Sequence, residues 1–191
     1  LRQQARQAAT QKTLWPVTWK ADRSTPSSFR FKGYQAVYTP SKLGNYLRLS
    51  YDRNQPWEKD IAYYDHFVEE HVVSTPKAYL IPQAWREAIA RLQWNGIVLQ
   101  KLEEDQELQV QAYYIQSVLS RKNAYEGHLF HDELQLEKRS LRLQARAGDY
   151  LLPLNQVNAR YAVETLEPQA HDSFFRWGFF NSVLEKKEAF S

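Results

Sequence analysis

A short apolar run, a proline and an amphipathic helix follow one another twice in this chain. That repeat constrains the fold more than any other feature. The first copy is AYLIPQAWREAIARLQWNG, residues 78–96. Ala78-Tyr79-Leu80-Ile81 reads as a short buried strand. Pro82 has its φ fixed near the helical value and carries no N–H, which suits a first helical turn. Trp85, Ala88, Ile89 and Leu92 fall at i, i+3, i+4 and i+7 and form one apolar face. Arg86, Glu87, Arg91 and Gln93 take the wet side. Asn95-Gly96 ends the helix, because glycine tolerates the left-handed conformation of a C-terminal cap, and Ile97-Val98-Leu99 restarts a strand. The second copy is Tyr150-Leu151-Leu152-Pro153, followed by a helix capped by Asn155 with Ala159, Ala162, Val163 and Leu166 on one face; Pro168 stops it. The two units predict parallel strands at 79–82 and 150–153, side by side in one mixed sheet, each helix covering it.

Elsewhere the period is two. Phe29 and Phe31 alternate with Arg30 and Lys32, and Tyr34 to Tyr38 continues in extended form. Leu47, Leu49 and Tyr51 form a second strand, with a turn expected at Asp52 to Pro56. Short extended pieces follow at Ile61 to Tyr64 and His71 to Val73. A long strand is expected from Leu108 to about Val118, and Tyr125 to Leu129 reads as extended. Leu134, Leu136, Leu141 and Leu143 suggest a hairpin turning at Lys138-Arg139-Ser140. The expected class is α+β or mixed α/β: a β-rich front, then a mixed sheet with two strand-Pro-helix units. The expected organisation is a helix tail and linker at 1–28, a β-rich segment at 29–75 and a mixed α/β domain at 76–191.

At 191 residues, 43% of them apolar and 14% aromatic, the chain can bury a core. No apolar run reaches the eighteen or so residues of a membrane helix, and no secretory signal opens the sequence. Cysteine is absent, which excludes disulfides and thiolate chemistry. Methionine is absent too and the chain begins at Leu1, so it reads as part of a longer protein. The net charge is +3, with an excess at the front: Arg2, Arg6, Lys12, Lys20, Arg23, Arg30 and Lys32 face only Asp22. These cations are scattered and no nucleic-acid motif accompanies them, so they read as a solvated surface; neither nucleic acid nor membrane insertion is expected.

Chemistry has few anchors. No Gly-x-Ser-x-Gly elbow and no Gly-rich phosphate loop occur, so no catalytic residue is assigned. Candidate metal ligands are His66, Glu69 and His71 in the string HFVEEH, and His128 and His131 in HLFHDE, with His171 as a further third ligand. Strand alternation sets His66 and Glu69 on opposite faces, and the H-E-x-x-H order is missing, so no metal site is assigned in this chain. Asp132 and Glu133 diverge in a strand and make a poor acid/base pair. The run SFFRWGFF offers Phe174, Phe175, Trp177, Phe179 and Phe180 as a ligand platform or an interface.

The strings YDRNQPWEKDIAYYD, AYLIPQAWREAIARLQWNGI, YEGHLFH, GDYLLPLNQVNARYAVETLEPQAHDSFFRWGFFN and LEKKEAFS resemble the region after the catalytic domain in zinc carboxypeptidase-like proteins of Bacteroidetes-type bacteria, relatives of carboxypeptidase A. The resemblance runs from about Phe29 onward. It implies a secreted, periplasmic or cell-surface parent that hydrolyses peptides at their C-termini. It places zinc in the parent's catalytic domain, held by H-x-x-E and a distant His. His66 and Glu69 lack the surrounding catalytic sequence, and the ligands are not carried onto them. The chain itself is then expected to hold no cofactor and to serve as a non-catalytic accessory region whose partner is the preceding peptidase domain, with a peptide or a glycan as further ligand. Two rivals stand beside this reading. One is a carbohydrate- or ligand-binding module using Trp57, Trp85, Trp94 or Trp177. The other is a small independent metallohydrolase on His66, Glu69 and His128 or His171.

Overall fold

The computed structural model describes residues 13–185. In chain order its elements are β1 (Leu14–Ala21), β2 (Ser27–Pro40), β3 (Leu47–Tyr63), β4 (Phe67–Ser74), β5 (Ala78–Ile81), α1 (Arg86–Trp94), β6 (Gln100–Lys101), β7 (Gln106–Ser120), β8 (His131–Ala145), β9 (Tyr150–Pro153), α2 (Ala159–Leu166) and a 3-10 turn (Asn181–Leu184). Strand accounts for 51% and helix for 12% of the described residues, which are therefore mostly β. This corrects the α+β or mixed α/β expectation. The short helices decorate antiparallel ribbons, and the sheet on which the mixed class rested has no parallel pair.

The described residues form two units, one of residues 20–68 and one of residues 13–19 and 69–185. In the larger unit, β9 lies between β5 and β6 in a three-stranded sheet. Ala78 pairs with Pro153 and Ile81 with Tyr150, so the two strand-proline stretches are neighbours as expected, but antiparallel. Each helix needs only a sheet face to cover, and strand direction was read from the repeat rather than from the connection. That connection contains the β7/β8 hairpin, which reverses the chain before it enters β9. Leu92 from α1, Ala162 and Val163 from α2, and Leu152 from β9 are fully buried in one cluster, joined by Trp15 and Val17 of β1 and Val73 of β4. The apolar face read for α1 is the buried one: Ala88, Ile89 and Leu92, with Trp85 packed beside it.

Two expected turns give way to strand pairing. Lys138-Arg139-Ser140 is no turn. These residues lie mid-strand in β8, opposite Tyr113, Ala112 and Gln111. Lys138 sits over the Tyr113 ring at 4.9 Å, and Arg139 over Tyr114 at 4.4 Å while paired to Glu137 at 2.8 Å, so charges that suggested a bend are spent across the ladder. Asp52 to Pro56 is likewise not a chain reversal. Gln35 faces Asp52 and Tyr34 faces Pro56, which leaves residues 53–55 as a bulge inside a continuous β3. Tyr125 to Leu129 is a tight turn, with Glu126 and Gly127 both at positive φ and Tyr125 bridged to His128. The helix tail expected at the start falls largely on residues outside the described ones; within them, residues 14–21 are the strand β1, partnered by β4. Asn155 does not cap α2, which begins after Asn158.

The smaller unit is the β2/β3 hairpin. Its base is laced by Arg30 to Asp60 and Glu58 and by Lys32 to Glu58 on one face. The other face carries Phe29 against Tyr63 and Phe31 against Trp57. Gly33 faces Trp57, and a Cβ there would come within 2.8 Å of the indole, so a larger residue would have to displace the ring.

Because Leu92 and Leu152 are 0% exposed, Leu92→Ala and Leu152→Ala should each cost about 2–5 kcal/mol. Denaturant midpoints measure this, and a loss below about 1 kcal/mol at both would contradict a single core under the β5/β9 pair.

Candidate functional site

Three polar or aromatic constellations gather in the larger unit. The first is a groove of about 430 Å³ at the start of α1, within the size range of small-ligand clefts. Its walls are Trp85, Arg86 and Arg91 of the helix region, His128 of the β7–β8 turn, and Trp177 and Phe179 of the aromatic run. The positive φ of Gly178 turns the chain between the last two. Trp177 is held edge-on by Phe130 at 5.3 Å and His128 at 5.6 Å. Arg91 lies 4.5 Å over the Phe179 ring and pairs with Glu87 at 3.3 Å, so its charge is spent. The Arg86 guanidinium has no ion-pair partner among the described residues. The groove thus offers aromatic surface and one free cation to a ligand.

The second is built on Glu167, 3% exposed, just past the end of α2. The Tyr79 hydroxyl of β5 donates to its Oε1 at 2.8 Å, and the Tyr113 hydroxyl of β7 donates to its Oε2. One carboxylate therefore joins a sheet strand, a helix end and the long hairpin. Burial pushes the Tyr79 phenol far up, and the negative charge of Glu167 pushes it further. Tyr113 is raised by burial and by its bond to Glu167. Phenols held this firmly in the protonated state donate hydrogen bonds and do not serve as bases.

The third is Ser120, His131 and Asn181. Ser120 and His131 face each other at the closed end of β7/β8. His131 Nδ1 lies 2.7 Å from Ser120 Oγ, and Nε2 lies 2.8 Å from Asn181 Oδ1. The tautomer that satisfies both neighbours has Nε2–H donating to Asn181 and Nδ1 accepting from the Ser120 hydroxyl. The imidazole is 4% exposed and packs on Phe175 at 5.3 Å. A buried ring with both nitrogens engaged fastens the 3-10 turn to the hairpin.

The sequence candidates scatter over these places. His66 belongs to the smaller unit, where its Nδ1 sits 2.7 Å from the Asp65 carboxylate. Glu69 is exposed on β4. His71 Nδ1 lies 2.7 Å from Thr18 Oγ1, and the same hydroxyl oxygen accepts from the His71 backbone N–H at 3.1 Å. His128 lines the groove, His131 is buried in its own triad, and His171 is exposed. Among the described residues no three His, Asp or Glu side chains converge in a metal-binding group, so no step is derived through the zinc that the resemblance implies. Of the aromatic run, Phe174 and Phe175 are 5% exposed and belong to the interior. Trp177 and Phe179 line the groove. Phe180 packs against Trp85 at 4.8 Å and faces a second hollow of about 210 Å³ with Tyr113 and Leu136. The Glu167 and His131 clusters were missed because their members lie far apart in sequence. The only local signal was a polar residue interrupting an apolar pattern.

The phenol pair sets an alkaline limit. Both folded-state values lie above the ordinary 10.0, so the fold holds these protons more tightly than the unfolded chain does. The stability they confer is whole below about pH 10 and is lost as pH rises beyond it. Urea midpoints should therefore fall between pH 9 and 11, and Tyr79→Phe with Tyr113→Phe should flatten that fall. Each single change should cost about 1–3 kcal/mol at neutral pH, since it strips a donor from a buried carboxylate. An unchanged alkaline slope in the double variant would contradict the assignment.

The chain is similar to Carboxypeptidase 2 of Trichophyton tonsurans, with 40% identity over 106 residues, which is 55% of this chain and 19% of that protein. The Trichophyton rubrum protein of the same name gives the same identity and coverage. The Probable carboxypeptidase 2 of Arthroderma benhamiae (strain ATCC MYA-4681 / CBS 112371) is 37% identical over 100 residues, 52% of this chain and 19% of that one. No family model matches the chain, and no solved structure matches it. The chain spans about a fifth, 19%, of the length of these curated relatives. None of them is a protein of the Bacteroidetes-type bacteria named by the resemblance. What the comparison supports is the coarser statement that the chain contains a carboxypeptidase-related region.

Proposed function

We propose that this chain is a non-catalytic accessory region of a carboxypeptidase, lying after the catalytic domain and packing on it or modulating it. The observation that carries the proposal is coverage: the similarity is strong, yet it takes in only 19% of each of the relatives compared. Those relatives are named for an activity of the whole protein. The chemistry of the described residues agrees with a supporting part. The buried Glu167 and His131 are engaged by neighbours within the fold. Post-catalytic placement, a Bacteroidetes-type parent, zinc in the parent's catalytic domain and a secreted, periplasmic or cell-surface location rest on the resemblance of the strings. Among the described residues no helix is long and apolar enough to cross a membrane.

A second reading is favoured by the groove between α1 and Trp177. Aromatic surface beside an unpaired arginine suits a peptide or glycan ligand. Loss of binding in Trp177→Ala to a glycan or peptide that the unaltered chain retains would support it; no ligand on either array would remove it.

The main reading makes a direct prediction. The chain alone, washed with chelator and dialysed against zinc, should hold no stoichiometric metal and release no C-terminal residue from peptide substrates. Deleting the region from the full-length polypeptide should lower that protein's stability or peptidase turnover. Stoichiometric zinc that disappears in His66→Ala would reverse the assignment in favour of an independent metallohydrolase.

A further inference from the structure

The β2/β3 hairpin changes character halfway along its length. Its register places Arg30 opposite Asp60, Lys32 opposite Glu58, Tyr34 opposite Pro56, Ala36 opposite Tyr51, Tyr38 opposite Leu49 and Pro40 opposite Leu47. Alternate residues of a strand share a face, so these pairs lie on one side of the ribbon. Near the base that side is ionic. Beyond Tyr34 it is apolar. Tyr38, Leu47 and Tyr51 are each 61% exposed and Leu49 is 44% exposed. Contiguous exposed apolar groups of this kind mark an interaction surface, and a two-stranded ribbon with an open apolar face is marginal alone.

The charges change at the same place. At the base, Arg30 and Lys32 have carboxylate partners. In the far half, Lys42 and Arg53 have no ion-pair or hydrogen-bond partner for their charged groups among the described residues; Arg48, opposite Thr39, is turned to the other face. The one carboxylate there, Asp52, is taken by the Asn54 N–H and the Gln55 amide, both at 2.9 Å. Lys42 follows the patch pair Pro40/Leu47 and Arg53 follows Tyr51, so a second copy of this chain would bring the same two cations to the ends of the same patch, which disfavours self-association. The fitting partner is a protein surface that is apolar at its centre and carries carboxylates around it. The relatives are about five times longer than the matched span, which is 19% of their length, so such a polypeptide holds a large further domain that can present it.

We propose that this far half of the hairpin, with Tyr38, Leu47, Leu49 and Tyr51 at its centre, is the surface that seats on the peptidase domain of the same polypeptide. The proposal rests on the accessory-region reading. Its test is hydroxyl-radical footprinting of the full-length polypeptide and of the 191-residue chain, read residue by residue by mass spectrometry. Reactivity at these four side chains should be high in the chain alone and fall several-fold in the full-length protein. Lys42→Glu with Arg53→Glu should restore it there, while Phe29 and Phe31 at the base keep their reactivity. Equal reactivity in both proteins overturns the proposal. So does protection that grows with the concentration of the chain alone, which means self-association, or protection that needs phosphatidylserine vesicles, which means a lipid surface. Peptidase turnover and zinc content of the same full-length sample judge the accessory reading separately. A sample without either defeats that reading, whereas an active sample with the four side chains still reactive defeats only the docking surface.

Discussion

Two side chains do the work of backbone around β9, and the larger unit depends on them. Asp149, just before the strand, accepts from the Gln83 N–H through one oxygen and from the Arg146 N–H through the other, both at 2.9 Å. Gln156, just after it, accepts from the Val98 N–H at 2.8 Å and donates to the carbonyls of Pro153 and Val98. The strand itself is four residues long and β6 only two. So short a sheet offers few ladder bonds, and its flanking loops would leave buried polar groups unpaired. An unpaired buried group costs about 1–3 kcal/mol. The carboxylate and the amide fill those positions, which lets apolar Leu152 and Leu154 enter the core without exposed backbone.

Glu167 and His131 extend the same logic outward. One ties β5, α2 and β7 through two tyrosine hydroxyls, the other ties the hairpin's closed end to the 3-10 turn. Each is almost fully buried, with both carboxylate oxygens of Glu167 and both ring nitrogens of His131 engaged. Polar groups in this position specify geometry more than they add stability. They fix which face of the long hairpin meets the sheet and its helices, and so place His128 and Trp177 at the groove.

The local apolar patterns of the chain were legible. The buried face of α1, the short strands at 78–81 and 150–153 and the alternation of residues 108–118 all follow from side-chain period alone. What misled was punctuation. Lys138-Arg139-Ser140 and Asp52 to Pro56 have turn composition, yet cross-strand pairing over 15 and 17 residues outweighs it. Strand direction in the sheet was beyond a single sequence, because it depends on how the 103–147 segment folds back. The polar clusters were hidden for a related reason. Tyr79, Tyr113 and Glu167 are separated by as many as 88 positions and share no motif. The metal-like strings failed in the opposite way: they sit close in sequence while the fold spends each histidine on a different neighbour.

The feet of the two long hairpins are clasped by backbone hydrogen bonds. Residues 22 and 66 meet at 2.9 Å below β2/β3, and Leu102 exchanges bonds of 2.8 Å with Asp149 and Gly148 below β7/β8. Each excursion therefore starts and ends at one place, and β7/β8 is held again along its length at Tyr113 and His131. A frame closed this way is indifferent to how far the loop between its clasps travels, since lengthening a flexible segment adds little closure entropy. Evolution can lengthen or shorten the β2/β3 arm without disturbing its clasp, whereas β7/β8 has to keep the residues that meet Glu167 and Asn181. The β2/β3 arm is where one descendant of this scaffold would come to differ from another.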